Sequence, residues 1–157
     1  MDSGKRFEAR FAKSLHRLPG ASMRIEDGGA QAKNRQIGDF AYWADDGRNF
    51  LIECKATARK AFPFENIKPH QMDALHNFNM LGHNRFAVIA FNFYGENYRT
   101  ENECYLILFD DFCHLYAKAA EAGRSSVPKE WIAKAGKLQA PTLGGWVLDF
   151  GGLVDGE

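Results

Sequence analysis

Asp39, Glu53 and Lys55 are the residues whose types and spacing could do hydrolytic chemistry in this chain. They lie in one stretch, Gly38 to Thr57, where the runs Phe40-Ala41-Tyr42-Trp43 and Asn49-Phe50-Leu51-Ile52 flank an Asp45-Asp46-Gly47 turn. Strand-like runs around Asp-Asp-Gly read as a β-hairpin. Pairing Ala44 with Arg48 sets Tyr42 opposite Phe50, Phe40 opposite Ile52 and Asp39 opposite Glu53. Opposed residues have Cβ atoms about 5 Å apart, and Lys55 follows Glu53 on the same face about 7 Å along the strand. Two carboxylates and an ammonium gathered in this way suit a divalent metal. Mg²⁺ held there could neutralise an anionic phosphodiester, supply hydroxide near neutral pH and stabilise the leaving oxyanion, while the lysine orients or deprotonates the attacking water. The backbone carbonyl of Cys54 is placed to add an oxygen ligand. Without metal the two carboxylates repel, which raises at least one pKa.

Composition bounds the protein that must position this group. The 157 residues, 45% hydrophobic and 13% aromatic, predict one soluble domain over 1–157, with about 151–157 a frayed tail. No apolar run approaches the roughly 18 residues of a membrane span, and the N-terminus has no secretory h-region. Cys54, Cys104 and Cys113 form no CxxC pair and no zinc spacing with the five histidines, so they read as thiols of a reducing, cytoplasmic compartment. No membrane partner and no small-molecule cofactor are expected. The net charge is zero, but residues 1–78 hold 13 Lys/Arg against 10 Asp/Glu and residues 79–157 hold 7 against 10. With Glu8, Asp39 and Glu53 offset by metal, the N-terminal half leaves a basic surface that suits a phosphate backbone.

The elements follow from periodicity. Phe7, Phe11, Leu15 and Leu18 recur at helical spacing from Ser3 to Leu18, with Lys5 and Arg6 among the basic residues outside the stripe and Glu8 at its boundary. Ala21 to Asp27 reads as a short strand and Gly28 to Gln36 as a polar loop, whose Lys33 and Arg35 are candidates to contact DNA. After the hairpin, Ala58 to Phe64 is a basic connection. A helix then opens near Pro69, with Gln71, Leu75 and Phe78 inward. Arg85 to Phe93 is continuously apolar, which fits a central strand covered on both faces. Tyr105 to Phe109 is another buried strand, a helix capped by Asp110 or Asp111 runs to Ala122, and Ser126-Val127-Pro128 begins a further short helix. This order predicts an α/β fold, a mixed sheet flanked by helices, in which the strand after the crossover helix pairs parallel to the second hairpin strand.

An acid-x-Lys triplet alone carries little weight. The ordered set carries more: Gly4, Phe7 and Glu8 on the first helix, Asp39, Glu53-Cys54-Lys55-Ala56-Thr57, Phe62-Pro63, His70-Gln71 and Phe86 to Phe91. It has the spacing of the PD-(D/E)xK nuclease superfamily and resembles the RecU-type Holliday junction resolvases, phage-borne members included. The resemblance implies a restriction-endonuclease-like fold and a homodimeric, Mg²⁺-dependent endodeoxyribonuclease (Mn²⁺ substituting) that cuts branched double-stranded DNA with paired nicks. It implies that Asp39 and Glu53 bind metal, that Glu8 reaches it through water, that Lys55 positions the nucleophilic water and that Gln71 supports the site. Lys5, Arg6, Lys33, Arg35, Thr57, Arg59 and Lys60 are expected at the DNA. The sequence departs from the family pattern by offering only Gly28 to Gln36 where a longer projecting stalk is usual, and by lacking the long basic N-terminal arm. Junction selectivity is thus written less fully than nuclease chemistry. A restriction-like or repair nuclease on linear, flap or end DNA, and a DNA-binding module without activity, are the alternatives.

Overall fold

The computed structural model describes residues 2–25, 37–97 and 101–156. Lys33 and Arg35 lie outside them. The chain begins with α1 (Ser3–His16), which starts where the Asp2 carboxylate accepts the Lys5 N–H at 2.8 Å. It buries Phe7, Phe11 and Leu15 and ends before Pro19-Gly20. Gly20 is needed there: at φ 107° its Cα passes so close to the hairpin that a Cβ would stand 2.2 Å from the Trp43 carbonyl oxygen. Then come β1 (Ala21–Arg24), β2 (Phe40–Trp43) and β3 (Asn49–Thr57), followed by β4 (Ala61–Pro63), a 3₁₀ turn over Phe64–Asn66, and α2 (Pro69–Asn79). The second half adds β5 (Arg85–Tyr94), β6 (Asn102–Leu108), α3 (Phe109–Glu121), β7 (Ser126–Pro128), α4 (Lys129–Ala135), β8 (Lys137–Leu138), β9 (Ala140–Thr142), β10 (Gly145–Val147) and α5 (Phe150–Asp155).

The main sheet has six strands in the order β1-β2-β3-β5-β6-β8. β3 and β5 pair parallel, with Glu53 beside Ile89 and Lys55 beside Phe91, as the crossover through α2 requires; the other pairs are antiparallel. Side-chain alternation divides the core in two. Phe40, Tyr42, Phe50, Ile52, Val88 and Ala90 pack on one face with α1, Trp146 and Phe150. Leu51, Ala87, Ile89, Phe91 and Ile107 pack on the other with Leu75 of α2, Phe112 of α3 and Ile132 of α4. This α/β/α sandwich is the mixed sheet flanked by helices that the pattern predicts. β4 and β7 form a separate ribbon, Phe62 facing Val127, and β9 and β10 a hairpin.

Three local expectations are corrected. The stretch 151–156 is held against the body: α5 is capped by the Asp149 carboxylate, which accepts the Gly152 N–H at 2.8 Å and pairs with Lys137 at 2.7 Å. Phe150 is buried with its ring 4.8 Å from that of Phe50, and Asp155 pairs with Arg48 at 2.7 Å. The Gly-Gly pair has low helix propensity, which tertiary contacts override. Asp110 and Asp111 sit in the first turn of α3 rather than capping it, with Leu108 as N-cap. Ser126 to Pro128 is the strand β7, and the helix opens only at Lys129, directly after the proline.

Candidate active site

The hairpin register holds from Trp43 to Phe40: Tyr42 faces Phe50 and Phe40 faces Ile52. At Asp39 it slips. The Asp39 N–H donates to the Ile52 carbonyl at 2.9 Å, so Asp39 and Phe40 both stand against Ile52. Two residues opposed to one is a β-bulge, a device that re-aims a side chain. Asp39 therefore does not face Glu53 across a regular ladder. Instead its carboxylate Oδ2 accepts the Cys54 N–H at 2.8 Å, which sets it beside the middle of β3, next to Glu53.

Glu53 and Lys55 point to the face that α2 covers. Gln71, in the first turn of α2, joins them: its Nε2 donates to Glu53 Oε1 at 3.0 Å and its Oε1 accepts Lys55 Nζ at 3.1 Å. That same Oε1 accepts the Lys68 N–H at 2.8 Å, so the residue that orients the site also caps the helix. Lys55 Nζ lies 3.3 Å from Glu53 Oε1. From the other side of the sheet α1 brings Glu8, whose Oε1 pairs with Arg24 of β1 at 3.1 Å. Gly4, Glu8, Asp39, Glu53, Cys54, Lys55, Glu65, Lys68 and Gln71 line one cleft of about 460 Å³.

Burial dominates the electrostatics. Glu53 is pushed up to about 7, first by desolvation and then by Asp39, against the pull of Lys55. Asp39 is also raised, by desolvation opposed by the Cys54 N–H, and it shares a hydrogen bond with the Glu53 carboxyl. Glu8 is raised by desolvation and by Asp39, with Arg24 acting the other way. Desolvated carboxyls that raise each other's proton affinity are relieved when a divalent cation takes the place of the proton, so the oxygen donor set fits Mg²⁺. Among the described residues no group of three or more His, Cys, Asp and Glu is drawn together for a metal, and Glu8 pairs with Arg24.

The structure thus brings Glu8, Asp39, Glu53, Cys54, Lys55 and Gln71 into one place. Lys5 and Arg6 are exposed on α1 between Gly4 and Glu8. Arg59 and Lys60 are exposed beyond β3. Thr57, expected at the DNA, is buried at 7% exposure, and its hydroxyl oxygen accepts the Arg59 N–H at 3.1 Å. It fixes the turn that leads into Arg59. Arg24 was missed by sequence reasoning, since only the β1–β2 pairing, Arg24 beside Phe40, carries it to Glu8. Glu65 and Lys68 were also missed; their signal was the Phe62-Pro63 connection leading into the helix.

A model of the Recombination protein U family, RecU, matches residues 29–155, most of the chain. The protein belongs to the RecU family. Its fold is similar to that of Hjc, a Holliday junction resolvase from the archaeal hyperthermophile Archaeoglobus fulgidus, in a 1.6 Å resolution structure. The TM-score is 0.50 at 17% identity, covering 68% of this chain and 78% of that one, so this likeness speaks for the fold. No curated protein matches the sequence. Neither comparison touches the cleft residues singly. Membership in RecU does place the paired carboxyls within a recombination family.

Proposed function

We propose that this RecU protein is a divalent-metal-dependent endodeoxyribonuclease that resolves Holliday junctions by paired phosphodiester hydrolysis. One observation carries the reading: Asp39 and Glu53, desolvated and sharing a hydrogen bond, lie with Lys55 and Gln71 in a single open cleft. Asp39, Glu53 and the Cys54 carbonyl would hold Mg²⁺ or Mn²⁺, and Glu8 would reach it through water. When bound, the ion supplies hydroxide near neutral pH and offsets charge on the leaving oxygen. The protein's own groups do the rest. Lys55, held by Gln71 and Glu53 as an ammonium, would orient the attacking water by donating a hydrogen bond to it and would offset the charge of the hydroxide. Gln71 keeps that ammonium from swinging away. Lys5, Arg6, Arg59 and Lys60 hold phosphates on either side of the cleft, positioning the duplex without reading its sequence.

A junction presents two equivalent strands, so a two-fold dimer supplies two clefts. We take the protein to act as a homodimer, as one domain of 1–157, in the cytoplasm. No helix of the described residues is long and apolar enough to cross a membrane. The test is a panel of labelled four-way junction, flap and linear duplex with Mg²⁺. Symmetric nicks in the junction at a rate well above the others support the reading; equal cutting of linear duplex would favour a restriction-like or repair nuclease.

A further inference from the structure

A second cavity of about 350 Å³ adjoins the catalytic cleft, and Glu65 lines both. Its other walls are Arg59, Ala61, Pro63, Phe64, Ser125 and Ser126. The β4–β7 ribbon builds it: Phe62 and Val127 turn into the core, and the Phe64 N–H donates to the Ser125 carbonyl at 3.0 Å, fixing the 3₁₀ turn to the opposite loop. The half-buried Phe64 ring is itself held, stacked on Tyr116 with centroids 4.0 Å apart. Next to Ser125, Arg124 lies 5.4 Å from the centre of the Trp131 ring. Among the described residues neither Arg59 nor Arg124 forms an ion pair, unlike Arg24, Arg48, Lys129 and Lys137.

The chemistry of these walls selects a ligand. A rigid aromatic and a proline give a flat apolar contact. Serine hydroxyls and the Glu65 carboxylate offer acceptors for ring N–H and exocyclic amino groups. Glu65 also repels a phosphate from the interior, while Arg59 in the cavity wall would attract a phosphate. An aromatic floor with hydrogen-bonding edges and a cation in the wall describes a site for a base with its backbone left at the rim. We propose that this cavity seats one unpaired nucleobase of the branched substrate, beside the strand being cut. It rests on the nuclease reading and adds to it a means of telling a branch point, where bases can leave the stack, from continuous duplex.

The test is binding rather than cleavage, in chelator, so that it stands apart from the metal site. Four-way junctions are made intact and with an abasic nucleotide at each branch-point position in turn, and Kd is measured for wild type, Phe64→Leu and Ala61→Phe. Phe64→Leu keeps an apolar contact for Tyr116 but removes the stacking face; Ala61→Phe leaves Phe64 in place and fills the cavity. Thermal unfolding confirms that both fold. At one branch position the abasic junction should bind wild type about fivefold or more weakly. Both variants should show the same loss on the intact junction, none on linear duplex, and no further loss on that abasic junction. Variants that bind every junction like wild type, or lose equally on intact and abasic DNA, would overturn the proposal. So would Arg59→Gln weakening all DNA alike while both cavity variants do nothing, since the cavity mouth would then be a phosphate contact only. Wild-type protein that binds no branched DNA would remove the nuclease reading as well.

Discussion

Under the proposed nuclease function, Glu53 is the residue at which folding and activity conflict. Its carboxyl sits near 7 because burial and Asp39 penalise the charged form, against an ordinary value of 4.5. A raised carboxyl binds its proton more tightly folded than unfolded, so its favourable contribution is present below 4.5 and is lost as pH rises through about 7. Metal-free protein should therefore lose stability across that window, on the order of 3 kcal/mol, seen as a falling Tm. Glu53→Gln should flatten the profile. Mg²⁺ competes with the same proton, so it should raise Tm more at pH 8 than at pH 5. A Tm that rises with pH through this window in wild type would contradict the account. Gln71 hydrogen-bonds Lys55 and Glu53, so in the proposed nuclease it positions those two groups. Gln71→Leu should lower kcat roughly 10- to 100-fold while leaving junction affinity in chelator unchanged, which gel-shift and single-turnover rates separate.

At the scale of elements, the period-two apolar pattern of Phe40, Tyr42, Phe50 and Ile52 made the hairpin register legible, and with it the meeting of Asp39 and Glu53. The bulge was not legible. Nothing in Gly38-Asp39-Phe40 distinguishes a regular ladder from one that slips by a residue. Arg24 was hidden for a related reason, since its partner comes from α1 and its strand pairing spans 15 intervening residues. The parallel β3–β5 pair was readable because β5 is apolar throughout and follows a crossover helix. α5 was not, because its glycines argue against a helix and only Phe150 and Asp149 make one. Phe150→Ala should cost about 3–5 kcal/mol in chemical denaturation, whereas a frayed tail would cost nothing. The buried Ser14 hydroxyl accepts the Trp146 N–H at 3.0 Å and donates to the Arg10 carbonyl at 3.0 Å, tying α1 to β10. Ser14→Ala leaves that N–H unpaired and should cost about 1–3 kcal/mol, without changing the cleavage rate of the folded fraction.

For the whole molecule, the α/β/α sandwich explains why the site lies where it does. α1 and α2 cover opposite faces of the sheet, and Glu8 of α1 and Gln71 of α2 line one cleft with Glu53, which Gln71 hydrogen-bonds. The cavities were less readable than the carboxylate pair, because folding assembles them from distant segments. The β4–β7 ribbon is the example: Phe64 and Ser125 lie 61 positions apart, and no local pattern joins them. The carboxylate pair is the centre of the proposed activity. The most direct measurement is single-turnover cleavage of an end-labelled mobile four-way junction by wild type, Asp39→Asn and Glu53→Gln, in Mg²⁺ and in chelator. Wild type should place paired nicks only with Mg²⁺, and each variant should slow by a hundredfold or so while still binding the junction. Cleavage by either variant at the wild-type rate, or undiminished cleavage in chelator, would contradict it.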